Sequence, residues 1–254
     1  MSENIYITYH QNKEIMSAPQ GRPSDERWTA TDAYTISHLH PSSKPNHAAI
    51  TAAKEHSEAN GLPDIGTNDN AAKMLALQCK FGKVSHALEV GTLGGVTPIW
   101  LTTMNPDLRV TTIEYEPKHA KVARENVERA GVADRVDVIT GAGLDVLPKL
   151  QEQIEKGEKE PLGLTYIDAD KGNNWAYFDW AVKLSRPGAV IYVDNVVQGG
   201  IIAKEPEDDS WRSRAVMGAR KVIENVGKDT RVEALVQQTV GDHSYDGWLM
   251  AVVL

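Results

Sequence analysis

The sequence predicts an α/β protein: a mostly parallel β-sheet with helices on both faces, closed by an antiparallel C-terminal hairpin. Three observations carry this. From residue 84 onward, short apolar or β-branched runs alternate with helical patterns, as strands joined by crossover helices do. The runs are apolar at successive positions, which suits strands covered on both faces. The last two runs, Val232–Thr239 and Gly247–Leu254, are separated only by Val240 to Asp246. No helix fits in that gap, so the two must pair antiparallel.

In chain order, residues 1–24 read as a poorly ordered tail or an oligomer arm, with Gly21-Arg22-Pro23-Ser24 as a linker. Residues 25–254 read as a single domain, with N-terminal helices over 25–82 and the α/β core over 84–254. The first part includes a polar loop at 41–47. The candidate parallel strands are His86–Val90, Arg109–Glu114, Arg135–Thr140, Leu164–Ile167 and Ala189–Val193. Between the second and third, Pro117 suits a helix start and Gly131 its stop, with Ala123, Val127 and Ala130 as the apolar stripe. A helix is expected across Trp175–Leu184, and Pro187-Gly188 is expected to turn the chain into the next strand.

The charge balance, 27 basic against 35 acidic residues and a net −8, argues against a nucleic-acid partner, and no Lys/Arg run offsets it. No apolar stretch is long enough for a membrane span. The one cysteine, Cys79, cannot form an internal disulfide and reads as a buried thiol. With no leader pattern at the N-terminus, this suggests an intracellular protein, cytoplasmic first, with the mitochondrion as alternative. His38, His40 and His243 have polar neighbours and read as surface residues.

Two constellations carry chemistry. The first strand runs into Glu89-Val90-Gly91-Thr92-Leu93-Gly94-Gly95-Val96-Thr97. Glycines there let the backbone turn sharply and approach a ligand, and the helix start that follows favours negative charge. Glu114 ends the second strand, where a carboxylate can accept both ribose hydroxyls of a nucleoside. The Gly-x-Gly-x-x-Gly dinucleotide fingerprint is absent, since position 93 is Leu, which weakens a nicotinamide-dependent oxidoreductase as the alternative. The second constellation is Asp168-Ala169-Asp170-Lys171 with Asp194-Asn195, at the C-terminal ends of two strands. Ligands bind there in an open parallel sheet. Asp168, Asp194 and Asn195 are all oxygen donors, a set that suits a hard divalent cation, Mg²⁺ first, with Mn²⁺ or Ca²⁺ possible. Beside such a cation the ammonium form of Lys171 is disfavoured, as a general base near neutral pH requires.

In these segments the chain resembles the cation-dependent O-methyltransferases, the group of the caffeoyl-coenzyme A and, more distantly, the catechol O-methyltransferases. The likeness covers roughly residues 28–254. Glu89, Gly91, Gly95 and Thr97 match the family's cofactor motif, Glu114 its ribose-binding acid, and the segment Gly141 to Leu144, with Gly143, the stretch beside the adenine. Ile65-Gly66-Thr67 fits the segment under the methionine part of the cofactor. The resemblance implies a Rossmann-like class I methyltransferase fold and S-adenosylmethionine as methyl donor, leaving S-adenosylhomocysteine (SAH). It implies Ile65, Thr67, Glu89, Gly91, Gly95, Thr97, Glu114, Gly143, Asp168, Asp170 and Tyr177 around that donor. Asp168, Asp194 and Asn195 would ligate the cation, and Lys171, Asp168 and Asn195 would form the catalytic group. A homodimer is implied as well. A catalytically silent cofactor-binding relative is the rival within the family.

The chain departs from the pattern in places. Ala71 and Ala72 replace a Gln or Glu followed by Gly, Gly143 replaces Ala, and Gln198 stands where plant members carry a substrate-packing Trp. Residues 201–211 form an insertion with Glu205, Glu207, Asp208 and Asp209. Such an acidic loop would repel coenzyme A phosphates, so the expected acceptor is a free vicinal diol on an aromatic ring: a catechol, phenolic acid or flavonoid. Trp175 and Trp211 are candidates for an aromatic wall, a core or dimer role being equally open for either.

Overall fold

The computed structural model describes residues 24–204, 208–241 and 244–254. The tail or arm expected over 1–24 therefore lies, Ser24 apart, outside the described residues, as do Glu205, Glu207 and His243. Three helices come first: α1 (Glu26–Leu39), α2 (His47–Ala59) and α3 (Asp69–Phe81). The alternating part follows as β1 (His86–Val90), α4 (Val96–Met104), β2 (Arg109–Glu114), α5 (Pro117–Arg129), β3 (Val136–Thr140), α6 (Gly143–Glu155) and β4 (Leu162–Ile167). After a 3₁₀ turn at Lys171–Asn173 come α7 (Asn174–Leu184), β5 (Ser185–Asp194), a 3₁₀ segment at Gln198–Ala203, α8 (Trp211–Val226), β6 (Val232–Val240) and β7 (Tyr245–Val253).

The seven strands form one sheet in the order β3-β2-β1-β4-β5-β7-β6. The first five are parallel, and β7 runs antiparallel to both β5 and β6. The sheet and its C-terminal hairpin are thus as the sequence predicts. Several strand ends shift by one to four residues, and two of these shifts have a structural reason. Pro187-Gly188 does not turn the chain ahead of a strand but lies inside β5, where the pairing jumps from Leu162↔Ser185 to Leu164↔Val190. This bulge suits a proline without an N–H and a glycine at φ 77°. The hairpin strands also pair further, to Val240↔Tyr245, and leave only residues 241–244 between them.

Side chains alternate into two cores. Ala87 of β1 packs with α2 to α5 around the buried Trp100. Leu88 and Val90 pack on the other face with α6, α7 and α8, around Phe178. Cys79 is buried in the first core, as expected. His40 is not a surface residue: only 7% exposed, its ring lies 4.3 Å from that of Trp100. The polar neighbours in sequence hid this, because burial at a helix end is set by what packs across it. Trp175 joins the second core, its ring stacked 6.0 Å from Phe178. Among the described residues no helix is long and apolar enough to cross a membrane.

One buried side chain ties the helices to the turn after β1. Asn126 of α5 donates through Nδ2 to the carbonyls of Gly94 (2.9 Å) and Ala53 (3.2 Å) and to Ser57 Oγ (3.1 Å), and its Oδ1 meets His56 Nδ1 at 2.8 Å. Removing it strands the buried Gly94 carbonyl, whereas that of Ala53 keeps the Ser57 hydroxyl at 2.7 Å. Asn126→Ala should therefore cost about 2–3 kcal/mol of stability, measured by urea unfolding.

Candidate active site

The strand order reverses between β1 and β4, the place where an open parallel sheet forms a crevice at its C-terminal edge. A cleft of 1790 Å³ opens there. The two strand ends meet unusually closely. The Asp168 amide donates to the Val90 carbonyl (2.9 Å) and the Gly91 amide to that of Ile113 (2.9 Å). Gly91 has φ 99°, and a Cβ on it would overlap the carbonyl of Asp168. The glycine is required by both conformation and space.

Glu114 reaches this turn from β2. Its Oε2 accepts the amides of Thr92 (3.1 Å) and Leu93 (2.7 Å), and its Oε1 accepts that of Glu116 (2.9 Å). The carboxylate therefore folds the glycine turn as well as facing the cleft. Gly91, Thr97, Glu114, Gly143, Ile65 and Thr67 all line the cleft, and Gly66 lies beside the Leu93 side chain of the turn. Two other residues of the cofactor group, Glu89 and Gly95, are absent from the wall. Gly95 starts α4 at φ 78° and packs on Ala123. Glu89 is 1% exposed and accepts from Thr112 Oγ1 at 2.5 Å. Burial pushes its carboxyl up to about 8, against the pull of the Thr112 and Thr97 hydroxyls.

The acidic constellation gathers at the ends of β4 and β5. Lys171 Nζ donates to Asp168 Oδ1 at 2.7 Å, with both side chains largely buried. Asp170 accepts from Tyr177 Oη and Asn173 Nδ2, each at 2.6 Å, and burial raises it above the usual carboxylate range. Asp194 is pushed up to about 7, first by burial and then by the Asp168 carboxylate, while Lys171 acts against the shift. Asp168, Lys171 and Asp194 thus lie within electrostatic reach of one another, and Asn195 lines the same cleft. No group of three or more His, Cys, Asp or Glu side chains forms a metal cage among the described residues. The oxygen set of two carboxylates and an amide remains, a donor chemistry that fits a hard cation retaining water or substrate oxygens.

Sequence reasoning missed three supporting residues. Tyr166 Oη donates to Asp194 Oδ2 (2.9 Å), so the Thr67 hydroxyl, 3.0 Å away, donates to Tyr166. Its signal was a tyrosine two residues before Asp168, on the same face of the strand. Asp246 Oδ1 accepts the amides of Val197 (3.1 Å), Gln198 (2.9 Å) and Gly247 (2.9 Å), which fixes the loop after Asn195. Gln198, which also lines the cleft, is buried and donates to the Asn195 carbonyl at 2.6 Å, so it holds the loop. Trp211 does line the cleft and is 53% exposed, whereas Trp175 does not reach it. Ser210 caps α8 by accepting the Ser213 amide at 3.2 Å, and Asp208 steadies that cap by accepting the Ser210 amide and the Ser213 hydroxyl.

A family model described as O-methyltransferase matches residues 40–245. The chain is 52% identical over 229 residues to O-methyltransferase imqG of Aspergillus flavus, covering 90% of this chain and 92% of the relative. It is 44% identical over 206 residues to a catechol O-methyltransferase of Mycobacterium tuberculosis, covering 81% and 88%. The crystal structure of an O-methyltransferase from Bacillus cereus in complex with SAH superposes with a TM-score of 0.80 at 42% identity, over 90% of this chain and 99% of that one. The chain belongs to the O-methyltransferase family. It is a methyltransferase of the S-adenosylmethionine-dependent class I fold, and the nicotinamide-dependent alternative falls away.

The buried Glu89 gives a pH signature. In the unfolded chain its carboxyl ionises near 4.5, whereas the fold keeps it protonated up to about 8. The folded state binds the extra proton between these values, so stability falls as pH rises through that window and levels off above it. Glu89→Gln removes the effect. Its unfolding free energy should gain on wild type by roughly 1.4 kcal/mol per pH unit across the window, read from denaturant titrations of the ligand-free protein.

Proposed function

We propose that the protein transfers a methyl group from S-adenosylmethionine to one hydroxyl of a vicinal diol on an aromatic ring, with a divalent cation at Asp168, Asp194 and Asn195. The observation that carries this is the Lys171–Asp168 contact beside Asp194, at the end of the cleft that begins at the glycine turn. The name of the M. tuberculosis relative supports an aromatic diol as acceptor. Residues 25–254 act as one catalytic unit in this reading.

Ile65, Thr67, Gly91, Thr97, Glu114, Gly143, Asp170 and Tyr177 hold the methyl donor, and Glu89 and Gly95 shape the turn from behind the wall. Asp168, Asp194 and Asn195 would hold the cation, Mg²⁺ being the best fit, and when bound it would supply a Lewis acid toward the acceptor's phenolic oxygen. Lys171 Nζ accepts the phenolic proton, and Asp168 orients that amine. Tyr166 and Asp246 keep Asp194 and the Asn195 loop in place. The chain's main contribution to rate is alignment of acceptor oxygen and donor methyl. Trp211 offers an aromatic surface at the acceptor end.

The test is methyl transfer to a panel of catechols, phenolic acids and flavonoids with Mg²⁺ or EDTA. Vicinal diols should be methylated and isolated phenols not, and EDTA should abolish turnover. Activity that survives EDTA would remove the cation from the reaction. Lys171→Ala should lower kcat by about 10²–10⁴-fold, with SAH binding retained in calorimetry. Caffeic acid should be turned over faster than its coenzyme A thioester.

We further propose a homodimer. Leu77 and Phe81 project from one side of α3, exposed by 49% and 90%, and Tyr34 and Leu39 are exposed on α1. Light scattering should give twice the 27.9 kDa of the chain, and Phe81→Glu should shift it toward the monomer.

A further inference from the structure

Helix α8 packs on both loops that follow the acidic strand ends, the turn at Lys171–Asn173 and the segment at Gln198–Ala203. Its contact with the first is made backbone to backbone. Gly218, buried in the middle of the helix, has no room for a side chain: a Cβ there would overlap the carbonyl of Lys171 and lie 3.1 Å from the Gly172 amide nitrogen. Two residues on, Arg220 donates to the Lys204 carbonyl at 3.2 Å, just past the second loop. A glycine in a helix interior is unfavourable relative to alanine, so a mid-helix glycine calls for a packing reason. Gly227, the C-cap of the same helix, has none of comparable force, since a Cβ there meets the Ile223 carbonyl at 3.4 Å and the Glu224 carbonyl at 3.9 Å.

We propose that Gly218 is a positioning residue for methyl transfer: it lets α8 lie directly on the Lys171 backbone and so fixes Lys171 Nζ against Asp168 and the acceptor. This rests on Lys171 as the base. The Nζ–Oδ1 contact of 2.7 Å is made three residues along a short turn, and displacement of the Lys171 carbonyl moves its Cα and the whole side chain. Any larger residue at position 218 must push α8 or the turn aside.

The experiment compares Gly218→Ala, Gly227→Ala and Lys171→Ala with wild type, using catechol as probe acceptor with S-adenosylmethionine and Mg²⁺. Gly218→Ala should lose about 100-fold in kcat, the scale of an ångström's misplacement. Its KM for the methyl donor and its SAH affinity should stay within about threefold of wild type. Amide hydrogen exchange over residues 171–174 should quicken in Gly218→Ala and not in Gly227→Ala, a readout that needs no turnover. Gly227→Ala should match wild type throughout. Wild-type kcat with unchanged exchange in Gly218→Ala overturns the proposal. So does loss of SAH binding together with the fold, which would make Gly218 a general packing residue. A dead Lys171→Ala beside an active Gly218→Ala removes the positioning role alone, whereas an active Lys171→Ala removes the base assignment beneath it.

Discussion

The close approach of β1 and β4 at Gly91 and Asp168 is the constraint on which the site depends. The strand order reverses there, so the helices leaving the two strands go to opposite faces and a crevice opens between them. Gly91 lets the turn after β1 lie on the Asp168 carbonyl, and Glu114 holds that turn by two of its amides. Asn126 then ties Gly94, on the far side of the turn, to α2. The glycine turn is therefore a rigid shelf, held from the sheet by a carboxylate and from the helices by an amide. Asp168, with Lys171 bonded to it, is carried by the very strand end on which that shelf rests.

Much of this was legible in the sequence because its signals are local. A glycine at a strand end, an acid one strand later and two acidic strand ends each announce themselves within a few residues. The parallel order and the final hairpin follow from apolar runs and gap lengths alone. What was not legible depends on packing between distant segments. His40 has polar neighbours in sequence but an indole across the interface. Pro187-Gly188 carries the composition of a turn, and only its pairing with β4 shows a bulge. Tyr166 and Asp246 serve groups 28 and about 50 residues away, so no short motif contains both ends of either interaction. Glu89 has the opposite lesson: the motif placed it correctly in the chain, yet its side chain points away from the cleft into the fold.

The placement of Glu89 bears on how the cleft handles charge. Four carboxyl groups, Glu89, Asp168, Asp170 and Asp194, cluster around the ends of β1, β4 and β5, and burial raises three of them. Ionising all four together in a poorly solvated region would be expensive, and the fold answers in two ways. It pairs Asp168 with Lys171, and it holds Glu89 in its neutral form at neutral pH, where the carboxyl still hydrogen-bonds to the threonines behind the turn without adding fixed charge. In the proposed reaction a sulfonium ion loses its positive charge as the methyl moves. Fixed negative charge close to it would favour the reactant over the transition state, and so raise the barrier. A neutral Glu89 behind the shelf avoids that penalty. The other acids are answered where they sit: Asp168 by Lys171, and Glu114 by the amides of Thr92, Leu93 and Glu116.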